Sequence, residues 1–264
     1  MATDRLTDWY RHPQYYEAIF GTDTEREMDF LEQVNAWFGT GGRTFLEPAC
    51  GAGRLISAGV RRGYTMVGYD VSPEMLEHAR ERLEPSERRR VHLSLDRMES
   101  FCPARWQGRI DLAFSLVSTF RYLDSEEAAV AHLRATHRLL EPGGVYVLGF
   151  HITDYRRDTV EHERWVGRAG RETVVCNTRE WPPERRKRRS RMRNRLRISG
   201  PRGTFLIETE WYFRTWNEAE VDRLLEKTGF ELLGLYDFET KIDQPLPLDT
   251  NRLDRVMVLG KRGR

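Results

Sequence analysis

A short apolar strand pattern, Thr44 to Glu47, breaks into Pro48-Ala49-Cys50-Gly51-Ala52-Gly53 and resumes as a helical pattern to about Arg62. The glycines let the backbone turn sharply and come close to a ligand. They lie where a strand hands over to a helix N-terminus, and free N–H groups there favour a carboxylate or phosphate. Nineteen positions after Gly51, a second strand, Thr65 to Asp70, ends in an acid. An acid at that place can accept both hydroxyl hydrogens of a ribose, as in doubly wound nucleotide sites.

The alternation continues. A helix is expected over Pro73 to Leu83, a strand over Val91 to Leu95, and a strand over Ile110 to Leu116, apolar apart from Asp111 and Ser115. Ser125 to Leu140 reads as a helix stopped by Pro142-Gly143-Gly144, and Val145 to Ile152 as the fifth strand. This spacing predicts an α/β fold with a mostly parallel sheet and right-handed crossovers. A helix from Asn217 to Thr228, with Asn217 as N-cap and Gly229 past its end, precedes two final strands, Glu231 to Phe238 and Arg255 to Lys261.

Two regions stand outside the alternation. Residues 1–42 read as helical and aromatic: Leu6 to Phe20 carries Trp9, Tyr10, Tyr15, Tyr16 and Phe20, and a second helix runs from Thr24 to Phe38 with a capping-box pattern at Thr24 and Glu27. Residues 153–214 predict antiparallel strands over Glu172 to Thr178, Arg189 to Ser199 and Thr204 to Thr215, an insertion in one domain. The 264 residues fit one α/β domain with an elaboration, or at most two small domains.

Two details separate a dinucleotide site from another nucleoside site. A G-x-G-x-x-G fingerprint from Gly51 would need glycine where Ile56 stands. Glu47, four residues before Gly51, is foreign to that fingerprint but suits a sulfonium cation or an ammonium. In this respect Glu47-x-Ala49-x-Gly51-x-Gly53 resembles motif I of the class I S-adenosylmethionine (SAM)-dependent methyltransferases, with Ala49 in place of the usual first glycine. Leu95-Asp96-Arg97-Met98 resembles the segment after that family's third strand, Asp111 to Phe120 its fourth strand, and Leu140-Glu141-Pro142-Gly143-Gly144 its turn before the fifth.

The resemblance covers roughly residues 43–152 and 215–264. It implies a Rossmann-like sheet of seven strands, mostly parallel, with an antiparallel C-terminal hairpin, to which 153–214 adds an antiparallel β insertion. It implies SAM as cofactor, released as S-adenosylhomocysteine. Asp70 would bind the ribose diol, Val71 and Met75 would pack on the adenine, Asp96 would contact its amino group, and Arg97 and Met98 would flank the ring. Ala49, Gly51, Gly53, Arg54, Leu116 and Tyr16 complete the expected cofactor set with Glu47. The aromatic segment 1–42 resembles a lid closing over such a site.

The acceptor is less constrained. After the fourth strand the chain reads Ser115-Leu116-Val117-Ser118-Thr119-Phe120, not the Asp/Asn-Pro-Pro-Tyr/Phe of many adenine and glutamine methyltransferases, and no Pro-Cys supplies a cytosine nucleophile. Tyr15, Tyr16, Tyr122 and His151 are acceptor-side candidates, and His151 and Tyr15 are the candidate catalytic residues. His151 ends the fifth strand, where open α/β sheets place ligand sites, and can act as a base near neutral pH. Cys50, Cys102 and Cys176 show no metal or disulfide spacing, so no metal is expected. No signal-like or membrane-spanning run is present, consistent with a cytoplasmic protein.

Nine of the thirteen residues from Arg185 to Arg197 are basic, and from Arg189 the arginines fall on alternate positions. A strand would show them on one face. They could grip RNA or a phosphate-bearing acceptor, or pair with Glu208, Glu210 and Glu180 on a solvated sheet. The near-balance of 43 basic and 41 acidic residues favours pairing. The expectation is therefore a methyltransferase of small molecules, with the insertion forming acceptor pocket or homodimer face. An RNA or protein methyltransferase and a non-catalytic SAM-binding protein are the alternatives.

Overall fold

The computed structural model describes residues 8–261 and the backbone of Arg5 and Leu6. The expected N-terminal lid and the C-terminal part of the core therefore each run a few residues beyond the described chain. Among the described residues the strands form two sheets.

The larger sheet contains β2 (Thr44–Pro48), β3 (Thr65–Asp70), β4 (Val91–Leu95), β5 (Ile110–Ser115), β6 (Leu140–His151), β11 (Phe230–Tyr236) and β12 (Asp254–Lys261). Its order is β11-β12-β6-β5-β2-β3-β4. Neighbours from β6 to β4 are parallel, and β12 runs antiparallel to both β6 and β11. Helices α2 (Thr24–Trp37), α3 (Arg54–Arg61) and α4 (Pro73–Glu81) cover one face, burying Met28, Leu31, Leu55, Ile56 and Leu76 against Phe45 and Phe114. On the other face, α5 (Glu126–Leu139) and α6 (Glu218–Thr228) bury Leu133, Leu139, Val221 and Leu224 against Leu46, Ala113 and Leu148. A central strand covered on both faces reads as a near-continuous apolar run, as β5 does apart from Asp111 and Ser115. Its one carboxylate, Asp111, is buried but accepts hydrogen bonds from Thr40 Oγ1 (2.6 Å) and the Thr44 N–H (2.8 Å).

The second sheet is the insertion: β7 (Glu161–Ala169), β8 (Glu172–Glu180), β9 (Arg189–Gly200) and β10 (Gly203–Arg214), all antiparallel, with β1 (Arg5–Leu6) added parallel to β10. Its apolar side receives Trp9 and α1 (Pro13–Phe20). Trp9, Tyr15 and Ile19 pack there on Val174, Cys176, Leu196, Ile198 and Ile207.

Three expectations are corrected. The segment read as one helix from Leu6 to Phe20 is strand β1, a single turn at Trp9–Arg11 and α1, because Pro13 starts a new helix. Within the N-terminal segment, α1 packs on the insertion sheet and α2 on the core. Thr24 and Glu27 form no capping box. Glu27 is drawn instead to the Arg54 guanidinium, and the Thr24 hydroxyl donates to the Gly21 carbonyl. Finally, β6 begins at Leu140, five residues earlier than the sequence suggests. Gly143 adopts φ +86°, and the pairing with β5 slips between Ile110 and Leu112, so Pro142-Gly143-Gly144 is absorbed within the strand. Strand β7 was missed altogether; its sequence, EHERWVGRA, lacks a clean apolar–polar alternation.

Candidate active site

The turn after β2 is built from left-handed residues. Ala49, Gly51 and Gly53 have φ of +50°, +52° and +71°. A left-handed conformation costs a residue with a Cβ roughly 1–2 kcal/mol, so the alanine at position 49 holds a strained place. At Gly53 there is also no room: a Cβ would lie 2.6 Å from the Ala79 Cβ on α4. Gly53 thus sets how closely α3 and α4 approach, and it is the N-cap of α3.

Asp70 ties this turn to the end of β3. One carboxylate oxygen accepts the Gly51 N–H at 2.8 Å and the other accepts the Ser72 N–H at 2.9 Å. Burial raises its pKa, while those N–H bonds work in the opposite direction. Glu47, at the end of β2, has a buried oxygen, Oε2, without a hydrogen-bond partner among the described residues. Burial pushes its carboxyl up to about 8; Arg54 opposes the shift, and Glu27 and Asp70 add to it. A buried acid with an unfilled acceptor oxygen is the feature that a cationic ligand group would satisfy.

The turn opens into a cavity of about 1270 Å³. Ala49, Gly51, Asp70, Val71, Met75, Asp96, Arg97, Met98, Leu116 and Tyr16 line it, so the structure brings together most of the residues singled out in the sequence. Val71 is exposed while Met75 and Leu116 are buried. Asp96 accepts hydrogen bonds from the Arg97 N–H (2.8 Å) and the Ser100 hydroxyl (2.9 Å), and the Arg97 side chain turns to Glu99. The Tyr16 hydroxyl is pushed up to about 12 by burial, against the pull of Arg54 and with Asp70 and Glu47 reinforcing it.

Four expected site residues do not line the cavity: Tyr15, Arg54, Gly53 and Glu47. Tyr15 is buried on the insertion sheet, where its hydroxyl donates to Glu172 Oε2 at 2.8 Å and its ring meets Phe205. It is therefore removed as a catalytic candidate. Arg54 turns away to form an ion pair with Glu27, joining α3 to α2. Gly53 and Glu47 stand behind the lining; their parts are packing and charge.

The far half of the cavity is walled by the insertion. Glu163 and Trp165 of β7, Thr178 and Glu180 of β8, Met192 and Asn194 of β9, and Trp211 and Phe213 of β10 all face it. Tyr10 and Tyr122 meet hydroxyl to hydroxyl across it, joining the N-terminal segment to the loop after β5. Arg121, 5% exposed, donates to Glu180 (2.9 Å) and Ser190 (3.0 Å), fixing β8 and β9 to that loop.

His151 sits at the end of β6, directly opposite Asp254 of β12. Its Nδ1–H donates to Asp254 Oδ1 at 2.5 Å, and its ring stacks on Phe238 with centroids 4.9 Å apart. A carboxylate on Nδ1 fixes the tautomer and leaves the Nε2 lone pair as acceptor. Asp254 escaped the sequence reading because it lies 103 residues from His151.

The arginines of β9 alternate as expected. Ser190, Met192, Asn194, Leu196 and Ile198 are buried, and Arg189 to Arg197 occupy the opposite face. Arg191 pairs with Glu210 (2.7 Å) and Arg195 with Glu208 (2.6 Å). Glu180 does not join them; it is on the cavity side with Arg121 and Arg157.

Residues 45–144 match a family model described as a methyltransferase domain. No curated protein matches the chain. Solved structures share its fold along nearly the whole length. A SAM-dependent methyltransferase from Clostridium acetobutylicum is 15% identical, with 94% of this chain and 96% of that one covered and a TM-score of 0.71. The sugar N-methyltransferase KedS8 from Streptoalloteichus is 20% identical over 100% and 96% of the two chains, with a TM-score of 0.73. CalS10, an amino pentose methyltransferase from Micromonospora echinaspora, is 18% identical over 98% and 99%, with a TM-score of 0.69. At these identities the likeness is one of architecture: a Rossmann-like class I methyltransferase sheet with an antiparallel sheet added.

Proposed function

Starting from a chain whose residues 45–144 match a methyltransferase domain, we propose that it transfers a methyl group from SAM to an amine on a small molecule, leaving S-adenosylhomocysteine. The observation that carries the cofactor reading is the pairing of Glu47 with Asp70. One is a buried acid with an unfilled oxygen, and the other is an acid pinned by the Gly51 and Ser72 N–H groups at the end of the next strand. Glu47 supplies negative charge toward the sulfonium end, and Asp70 accepts the ribose hydroxyls. Val71, Met75 and Met98 give the adenine an apolar bed, with Asp96 at its edge.

SAM brings a methyl group activated for direct displacement by a nucleophile. The protein's part is alignment, exclusion of water and disposal of one proton. The aromatic wall of Tyr10, Tyr16, Trp165, Trp211 and Phe213 shields the space beside the cofactor turn. His151 Nε2 takes the proton that an ammonium acceptor must lose before its nitrogen can attack, and Asp254 stabilises the resulting imidazolium.

The amine class is supported by the cavity's acidic acceptor half and by the likeness to a sugar N-methyltransferase and an amino pentose methyltransferase. A nucleic acid held on the arginine strand fits less well. The β9 arginines face away from the cavity, so a chain gripped there lies on the wrong side of the sheet. Incubation with methyl-labelled SAM and a panel of free and nucleotide-linked amino sugars tests the reading. Label should enter an amine and be lost in His151→Ala; wild-type turnover by that variant would remove His151 as the base.

A further inference from the structure

Most carboxylates around the cavity are already held. Backbone N–H groups hold Asp70, Arg121 and Arg157 hold Glu180, Arg157 holds Glu161, and His151 holds Asp254. Glu163 differs. It lines the same cavity from β7, and among the described residues no cation or hydrogen-bond donor meets its carboxylate. Its surroundings do not neutralise it either. Its side chain is largely exposed on β7; partial burial raises its pKa, His151 acts against this, and Glu161, Glu180 and Asp254 add to the rise. Trp165, two residues along the same side of β7, also lines the cavity, as does Phe238, stacked on His151. A carboxylate with aromatic faces beside it forms a receptor for an organic ammonium group.

Resting on the methyltransferase reading above, we propose that Glu163 is the counter-ion that selects an ammonium-bearing acceptor and delivers its nitrogen to His151. The acceptor arrives as R–NH3⁺ and pairs with the Glu163 carboxylate. One N–H proton passes to His151 Nε2, the freed lone pair forms the N–CH3 bond as the S–CH3 bond breaks, and the sulfur leaves as a neutral thioether. The product is again an ammonium, R–NH2CH3⁺, and His151 returns its proton to solvent. A hydroxyl acceptor of the same shape brings no charge to Glu163 and binds less well.

The test uses the full chain loaded with S-adenosylhomocysteine and titrated calorimetrically with glucosamine and with glucose, which differ by one ammonium for one hydroxyl. Wild-type protein should bind glucosamine at least about fivefold more tightly than glucose. The preference should vanish in Glu163→Gln and survive in part in Glu163→Asp, with the affinity for S-adenosylhomocysteine unchanged throughout. Equal wild-type affinities for the two sugars, or a preference that persists in Glu163→Gln, would overturn the counter-ion role. Failure to bind S-adenosylhomocysteine is a separate outcome that removes the methyltransferase reading itself.

Discussion

Asp254 stands directly across the β6–β12 pair from His151 and accepts its Nδ1–H at 2.5 Å. The antiparallel final strand thus places a carboxylate at the C-terminal end of the parallel strands, where the cavity opens. That hydrogen bond holds the Asp254 carboxyl below its ordinary range, burial opposing it. Asp254→Asn offers an amide that can donate as well as accept, so the imidazole loses its fixed tautomer. Turnover should fall by about 10²-fold, with the acceptor KM changed far less, in steady-state assays with labelled SAM.

Glu47 makes two linked pH predictions. Its carboxyl lies near 8 in the folded protein against 4.5 ordinarily, so between those values the folded chain holds a proton that the unfolded chain has released. Its contribution to the stability of ligand-free protein therefore falls as pH rises through that window. Glu47→Gln should flatten this decline in denaturant titrations at a series of pH values.

The same residue links cofactor binding to protons. A sulfonium beside Glu47 favours its ionised form, so SAM binding at pH 7 should release a proton. Calorimetry in buffers of different ionisation enthalpy should show that release in wild-type protein and its loss in Glu47→Gln.

Gly53 is held left-handed, and a Cβ added there would lie 2.6 Å from the Ala79 Cβ. Gly53→Ala should destabilise the fold by about 2–3 kcal/mol, combining the left-handed penalty with local overpacking. Chemical denaturation measures this directly. Gly51→Ala should cost less, because a Cβ there meets nothing within 4 Å.

The arginine face of β9 points away from the cavity. Replacing Arg191, Arg193 and Arg195 together with Ser should leave kcat/KM within about twofold of wild type, since no catalytic geometry changes. A loss of an order of magnitude would show that this face takes part in acceptor capture.

What could be read in the sequence was local. The left-handed turn at Gly51 and Gly53, Asp70 closing the next strand, and the capping of α6 by Asn217 and Gly229 are each set by a few adjacent residues. The arginine alternation of β9 was legible for the same reason. What could not be read depended on distant chain. Tyr15 and Tyr16 are neighbours about 100° apart on one helix, and only the insertion sheet decides that Tyr16 faces the cavity while Tyr15 meets Glu172. Arg54 follows the glycine turn, yet Glu27 on another helix claims it. Asp254 and Glu163 reach the site through strand pairing alone, and the pattern of β7 did not reveal a strand.

The central claim is that the turn after β2 and the carboxylate of Asp70 form one nucleoside site. Calorimetric titration of S-adenosylhomocysteine into wild-type protein and Asp70→Ala, with thermal melts confirming that both are folded, tests it most directly. The account predicts saturable wild-type binding and affinity at least tenfold lower in the variant, about 1.4 kcal/mol or more. No wild-type binding at millimolar ligand, or equal affinity in the two proteins, would contradict it.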